Sequence, residues 1–274
     1  MPGKKFYDIH CHALNLSHPN LLLFLKRLML HPFHFEEICS TLKQIIALLS
    51  GRRNNRFVNL LSVMEHDMGE VFLLMEEDIL KLKDARGGLR IGEYTYDRVV
   101  LTPLMMDFGR KSIENYPGIY YNTLSHKPIV DQVIDLFNGI RKYAHETEHH
   151  LLEIYPFLGL NTRNYEMEST ENTVGLKDLL DKYFKNFAGD SSEERQRKLL
   201  DQMGRFDGNV DNLKECSFAG IKVYPPLGFD PWPIGDNEEL QKVRHLYRFC
   251  SSRRIPITAH CNDTGFLAEG VPSD

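Results

Sequence analysis

The chain is poor in the features that mark several large protein classes. Its 274 residues include only five cysteines, at positions 11, 39, 216, 250 and 261. The number is odd and no Cys-x-x-Cys pair occurs, so a disulfide framework is not expected and a reducing compartment fits better. Charge of one sign is not in large excess: 33 basic residues against 38 acidic ones give a net charge of −5, which argues against nonspecific nucleic-acid binding. No apolar run is long enough to span a bilayer. The most apolar stretch, Leu21 to Leu30, is interrupted by Lys26 and Arg27. The opening residues, Met1 to His10, contain no apolar signal-peptide core and run almost at once into a strand-like segment. Neither an internal repeat nor a low-complexity tract is visible. A soluble, cytoplasmic protein acting on a small molecule, without nucleic-acid or membrane partners, is expected. Its 42% hydrophobic and 26% charged content is ordinary for a globular chain, and its length is ample for a sizeable core.

Five segments read as strands: Lys5 to Ile9, Arg98 to Leu104, Leu151 to Leu160, Phe218 to Tyr224 and Ile255 to Ala259. Most are nearly continuous apolar runs, as suits strands covered on both faces. Pro156 leaves the middle of the third without a clear strand reading. Between them lie stretches with apolar residues near a 3.6 period: Pro128 to His150, Val174 to Phe187, Glu193 to Met203 and Glu238 to Cys250. From residue 98 onward strands and helices alternate, which implies βα units and a parallel sheet. About 80 residues, His18 to Asp97, break this rhythm, far more than one βα connection needs. They read as helices over Leu21 to Leu30, Phe35 to Leu49 and Asn55 to Leu82, with a return loop around Gly87-Gly88 and Gly92. This insertion is either a lid or homo-oligomer interface, or a buttress packed outside the sheet.

Three short motifs carry candidate chemistry. Asp8-Ile9-His10-Cys11-His12 places two histidines at i, i+2 near a strand end, on one face. Both imidazoles can then reach one cation at roughly 2.0–2.1 Å. The plain alternative is two surface histidines in a chain that has 12. Ile257-Thr258-Ala259-His260-Cys261 ends another strand on a histidine. It is either a satisfied core residue or a third ligand, and three nitrogen ligands with open positions form a catalytic metal site. Gly220-Ile221-Lys222-Val223-Tyr224 holds a lysine inside an apolar strand. Such a lysine is rarely buried unless paired. It either reaches solvent by its stem, binds an anionic substrate, or is carbamylated to bridge two metals.

In this order the three motifs resemble the amidohydrolase superfamily of metal-dependent hydrolases, whose members carry H-x-H at the end of the first strand of a (β/α)8 barrel. The similarity is to the amidohydrolase-2 branch, which also includes decarboxylases. Pro156 to Arg163 is similar to that branch's third-strand segment, Gly220 to Phe229 to its fourth and Ile255 to His260 to its fifth. The likeness covers five strands and not the insertion. It implies an α/β fold of the TIM-like (β/α)8 type, incomplete at about five strands, with residues 1–274 as its N-terminal part and 18–97 as a helical insertion. It implies His10, His12 and His260 as ligands of one or two divalent ions, most simply zinc, with Lys222 a further ligand only if carbamylated. The family's sixth-strand histidine and eighth-strand aspartate have no match in the chain, which is therefore expected to represent about two-thirds of a larger enzyme.

The expected reaction is hydrolysis of a C–N or C–O bond by a metal-activated water. Asp107 and Asp263, each following a strand, are candidate proton acceptors. Arg163 is a candidate fork for a substrate carboxylate or phosphate. Trp232, the single tryptophan, is a candidate pocket wall in the loop after the fourth strand. Rival readings are decarboxylation on the same fold, a phosphoesterase or nuclease with the same H-x-H start, and a non-catalytic degenerate barrel serving as an assembly module.

Overall fold

A computed structural model describes residues 4–12, 66–83, 88–107, 129–189, 191–202, 204–213, 217–225 and 228–260. The expected helices at Leu21–Leu30 and Phe35–Leu49, residues 55–65 of the third, and Asp263 lie outside them. The described strands are β1 (Lys5–His12), β2 (Leu89–Ile91), β3 (Tyr94–Tyr96), β4 (Arg98–Leu104), β5 (Leu152–Ile154), β6 (Phe157–Gly159), β7 (Gly220–Val223) and β8 (Ile257–Ala259). The helices are α1 (Met68–Leu80), α2 (Ile129–Glu146), α3 (Leu176–Phe184), α4 (Ser192–Gln202) and α5 (Asn237–Arg253). The main sheet is parallel and curled, in the order β1-β4-β6-β7-β8, with β5 also paired to β4. The return loop expected around Gly92 is an antiparallel hairpin, β2–β3, turning at Gly92, whose φ of 61° suits glycine.

The third expected strand is split in two. Leu101 pairs with Ile154 and Leu104 with Phe157, leaving a gap in an otherwise unshifted register. Val99 and Met105 donate their N–H groups to Leu151 and Phe157, so alternation aims position 103 at the same neighbour. That position is a proline and has no N–H to donate. Pro156 lies in the same gap and contributes only its carbonyl, which accepts the Ala219 N–H at 2.8 Å.

Each strand of the sheet has one face against helices. Val99, Leu101, Leu152, Ile154, Leu158, Ile221 and Val223 are buried in one core with residues of α1, α2, α3 and α5. Those residues include Phe72, Val133, Leu136, Phe137, Leu180, Val243 and Leu246. At the opposite face α4 brings Leu199 against Val100 and Tyr155, and the Gln196 amide donates to the Tyr155 hydroxyl at 3.0 Å. Buried Glu153 stands beside this contact, paired with Lys5 at 2.8 Å.

Helix α1, from the end of the insertion, is a buttress on α2 and part of the main core. Its buried residues Met68, Phe72 and Glu76 repeat at i, i+4. The helices meet at glycine: a Cβ on Gly139 would stand 2.6 Å from that of Met68. Glu76, 3% exposed, interrupts the apolar stripe for a reason visible in its partners. Its carboxylate accepts the Tyr143 hydroxyl at 2.6 Å, the Thr147 hydroxyl and the Leu151 N–H at 2.6 Å. Tyr143 in turn accepts the Leu152 N–H at 2.9 Å. One side chain of α1 therefore ties the end of α2 to the start of β5. Glu76→Ala strands several of these donors in the interior and is expected to cost on the order of 3 kcal/mol in a denaturant titration. Glu76→Gln, which keeps an acceptor oxygen, should cost less.

Helices α1 and α5 begin with Asp-x-x-Glu, where Asp67 and Asp236 accept the N–H of Glu70 and Glu239. The end of α5 has Arg254 in the left-handed region, φ 54°, while Ile255 N–H returns to the Cys250 carbonyl at 2.9 Å. The Arg254 side chain is exposed. Arg254→Gly removes the left-handed strain and is expected to stabilise the fold by about 0.5–1 kcal/mol, read as a raised melting temperature.

Candidate metal centre

Strand alternation decides which residues share the face opposite the main core. His12 is in register with Leu104, Leu104 with Phe157, Phe157 with Gly220 and Lys222 with Thr258. Two-residue steps along the strands add Lys222 and His260 to the same face. The candidate ligands thus come from the C-terminal ends of β1 and β8, with Lys222 on β7 between them. The sheet that carries them is curled, with β1 and β8 at its two edges.

The H-x-H segment is not regular strand. Asp8 pairs with Leu101 but Cys11 with Pro103, so β1 carries one extra residue over this interval. The Asp8 carboxylate accepts the His10 N–H at 3.0 Å and its carbonyl accepts the Thr102 hydroxyl at 3.3 Å, which hold the bulge. Despite the bulge the His10 and His12 rings remain neighbours, edge to face at 5.2 Å and 77°. Cys11 turns the other way and packs against the main core. Burial and the nearby Asp8 charge push its thiol up to about 12, so it stays protonated.

His260 follows β8 and donates its backbone N–H to the Val223 carbonyl at 3.2 Å. Its ring stacks on Tyr224, with centroids 4.3 Å apart and planes 21° from parallel. The Tyr224 oxygen is 3.5 Å from Nε2, and Nδ1 is buried with no hydrogen-bond partner. Lys222 is 1% exposed, its ammonium 5.6 Å from the Tyr224 ring centre.

These groups form one electrostatic cluster. His12 keeps part of its surface open, yet burial of its ring is the largest cause pulling its midpoint down to about 4, followed by His10, Lys222 and His260. His260 is lowered by burial, then by Lys222 and His10. The histidines of β1 and β8 and Lys222 of β7 thus act on one another electrostatically. Neutral imidazoles are ligand-competent, and the lone Nδ1 of His260 suits a cation. Among the described residues, however, no three His, Cys, Asp or Glu side chains are grouped tightly enough to hold a metal ion. The fit to a zinc-type ion is in donor chemistry, and the rings must still turn to meet at one point.

The other expected site residues lie around the rim. Asp107 is buried after β4 and accepts the Asn161 N–H at 3.0 Å, tethering the loop after β6. Arg163 belongs to the short 3-10 turn Thr162–Asn164 after β6. Its Nε is buried without a hydrogen-bond acceptor. This turn is rigidly held: Thr162 donates to buried Glu239 of α5, and Lys242 bridges Glu239 at 2.7 Å and the Tyr165 carbonyl at 3.1 Å. Trp232 is 49% exposed, with the Arg244 guanidinium of α5 5.3 Å from its ring. Its loop is fixed to α5 by the Tyr247 hydroxyl, which donates to the Pro231 carbonyl at 2.9 Å. Sequence reasoning did not single out Tyr224. The signal for it is its i, i+2 spacing from Lys222, which puts both on the histidine face.

No family model, curated protein or solved structure matches the chain. No helix among the described residues is long and apolar enough to cross a membrane.

In chelator-treated protein the His12 ring is expected to titrate near pH 4 by NMR. Lys222→Met removes a positive neighbour and should move that midpoint upward. Because the folded midpoint lies below the free value of roughly 6.5, this histidine's share of stability is complete above that pH. It is lost as the pH falls toward 4.

Proposed function

We propose that the chain is a metal-dependent hydrolase of the amidohydrolase type, its curled sheet forming part of a (β/α)8 barrel. The single observation that carries this reading is that His12, Lys222 and His260 share one face near the C-terminal ends of parallel strands, with the His10 ring beside that of His12, where α/β barrels keep their active sites. In this reading His10, His12 and His260 hold a divalent ion, most simply zinc. When bound, such an ion supplies an acidified water and polarises a carbonyl.

The chain's own groups account for the rest of the site. Burial and mutual repulsion keep His12 and His260 in the neutral form that can donate a lone pair. Lys222 presents a cation to an anionic substrate group, and Arg163 offers a second from its braced turn. Asp107 accepts the Asn161 N–H on one carboxylate oxygen and so tethers the rim, and Asp107 and Asp263 are the candidate proton acceptors of this reading. Cys11 and Cys250 are free thiols, in keeping with a cytoplasmic setting.

Protein purified without chelator is expected to carry zinc or a similar ion by elemental analysis and to turn over simple amides, lactones or esters. The His10→Ala/His12→Ala double variant should lose more than about tenfold of the metal and the activity with it, at unchanged circular dichroism. Equal background metal in both proteins overturns the reading.

A further inference from the structure

We propose that Tyr224 is a positioning residue for His260: its ring, stacked on the imidazole, fixes the ring plane, and its hydroxyl oxygen, facing Nε2, leaves Nδ1 as the nitrogen available to a cation. This rests on the metal-site reading but makes a separate claim about the chain itself. His260 follows a short strand at the edge of the described sheet and has one strand neighbour, β7. Its backbone bond to Val223 anchors the main chain but leaves the two side-chain torsions free. Tyr224 is the only aromatic ring recorded against it among the described residues, at 4.3 Å and 21°. A nearly parallel stack restrains rotation of the imidazole out of its plane, which a single hydrogen bond does not.

The two ring nitrogens are thereby made different. Nε2 faces the phenol oxygen at 3.5 Å, the long limit of a hydrogen bond, so stacking is the stronger restraint. Nδ1 is buried and has no partner. A neutral imidazole carries one N–H and one lone pair. With the proton on Nε2, toward the phenol oxygen, Nδ1 keeps its lone pair in a place where no donor is found among the described residues. A buried acceptor left so is costly, and a cation relieves that cost. Residues behind a ligand that set its orientation commonly change metal affinity by about 10–100-fold.

The test uses the full chain, wild type and two variants. Tyr224→Phe keeps the stack and removes the hydroxyl; Tyr224→Leu removes the stack. In metal-free, 15N-labelled protein, long-range 1H–15N spectra should show His260 as one tautomer, with Nδ1 unprotonated, in wild type, and a mixture in Tyr224→Phe, which has lost the oxygen facing Nε2. Tyr224→Leu should show a mixture as well. Zinc titration should give a dissociation constant at least about tenfold weaker for Tyr224→Leu and within about threefold of wild type for Tyr224→Phe. Melting curves confirm that the variants compared are folded. The same His260 spectrum in all three proteins overturns the proposal, as does a loss in Tyr224→Leu that Tyr224→Phe fails to restore. If wild type binds no zinc, the metal reading fails by itself, and the metal-free spectra still decide the role of Tyr224.

Discussion

A parallel sheet has to bury both of its faces, and the two-residue repeat of a strand leaves no freedom about which side chain goes where. That constraint organises the molecule. Ile221 and Val223 enter the helical core, so Lys222 between them is delivered to the opposite face although it is almost wholly buried. Thr258 lies beside Lys222 in register, and His260 follows two residues on. At the N-terminal end of that face α4 fills the space with Leu199 and Gln196. The other end is given over to histidines and a lysine. The polar cluster is therefore a consequence of where the apolar residues must go, together with the plug that closes one end.

The electrostatics of the cluster set what it can bind. The groups acting on His12 are two imidazoles and an ammonium, inside a chain whose net charge is −5. Burial of the rings is the first cause that keeps His12 and His260 neutral, the form a metal requires, and the positive charge of Lys222 acts in the same direction. A divalent ion among them would add to the positive charge near Lys222. Such a site favours ligands that arrive with negative charge, and Arg163 on its braced turn strengthens that preference. The bulge bond from Asp8 fits the same logic: the carboxylate nearest in sequence to the histidines is used on a backbone N–H.

What could be read directly from the residues follows from how each signal arises. Arg98–Leu104 was legible to its ends because a continuous apolar run, closed by a change of character on both sides, has one reading. The helices before β5 and β8 were legible because their apolar period is long. The third strand was read as one segment with Pro156 at an irregular middle, and its split, matched with Pro103, required the register. Neither the β1 bulge nor the Gly92 hairpin announces itself, since three-residue strands give too short a pattern to separate from a loop. Glu76 was illegible for a different reason. Its spacing of four from Phe72 marks a buried position, yet only the arrangement of Tyr143, Thr147 and Leu151 explains a carboxylate there. At the site, His10, His12, Lys222 and His260 could be nominated because their residue types are unusual at strand ends. Tyr224 could not, because an aromatic residue after a strand is ordinary until its ring is seen against the imidazole.

The strands that carry the histidines are the two ends of the described sheet, and this has a cost in precision. A central strand is held by two neighbours, whereas β1 and β8 each have one. Apolar Tyr7 and Ile9 are left exposed on β1. Side chains that a bound metal ion would require to meet within a few tenths of an ångström are thus mounted on the least constrained backbone of the sheet. Local devices supply the missing restraint: at β1 the Asp8 bonds that lock the bulge, at β8 the backbone bond to Val223 and the Tyr224 stack. The donors are near one another but not yet convergent, as expected of a site whose elements are fixed individually rather than by a shared ladder.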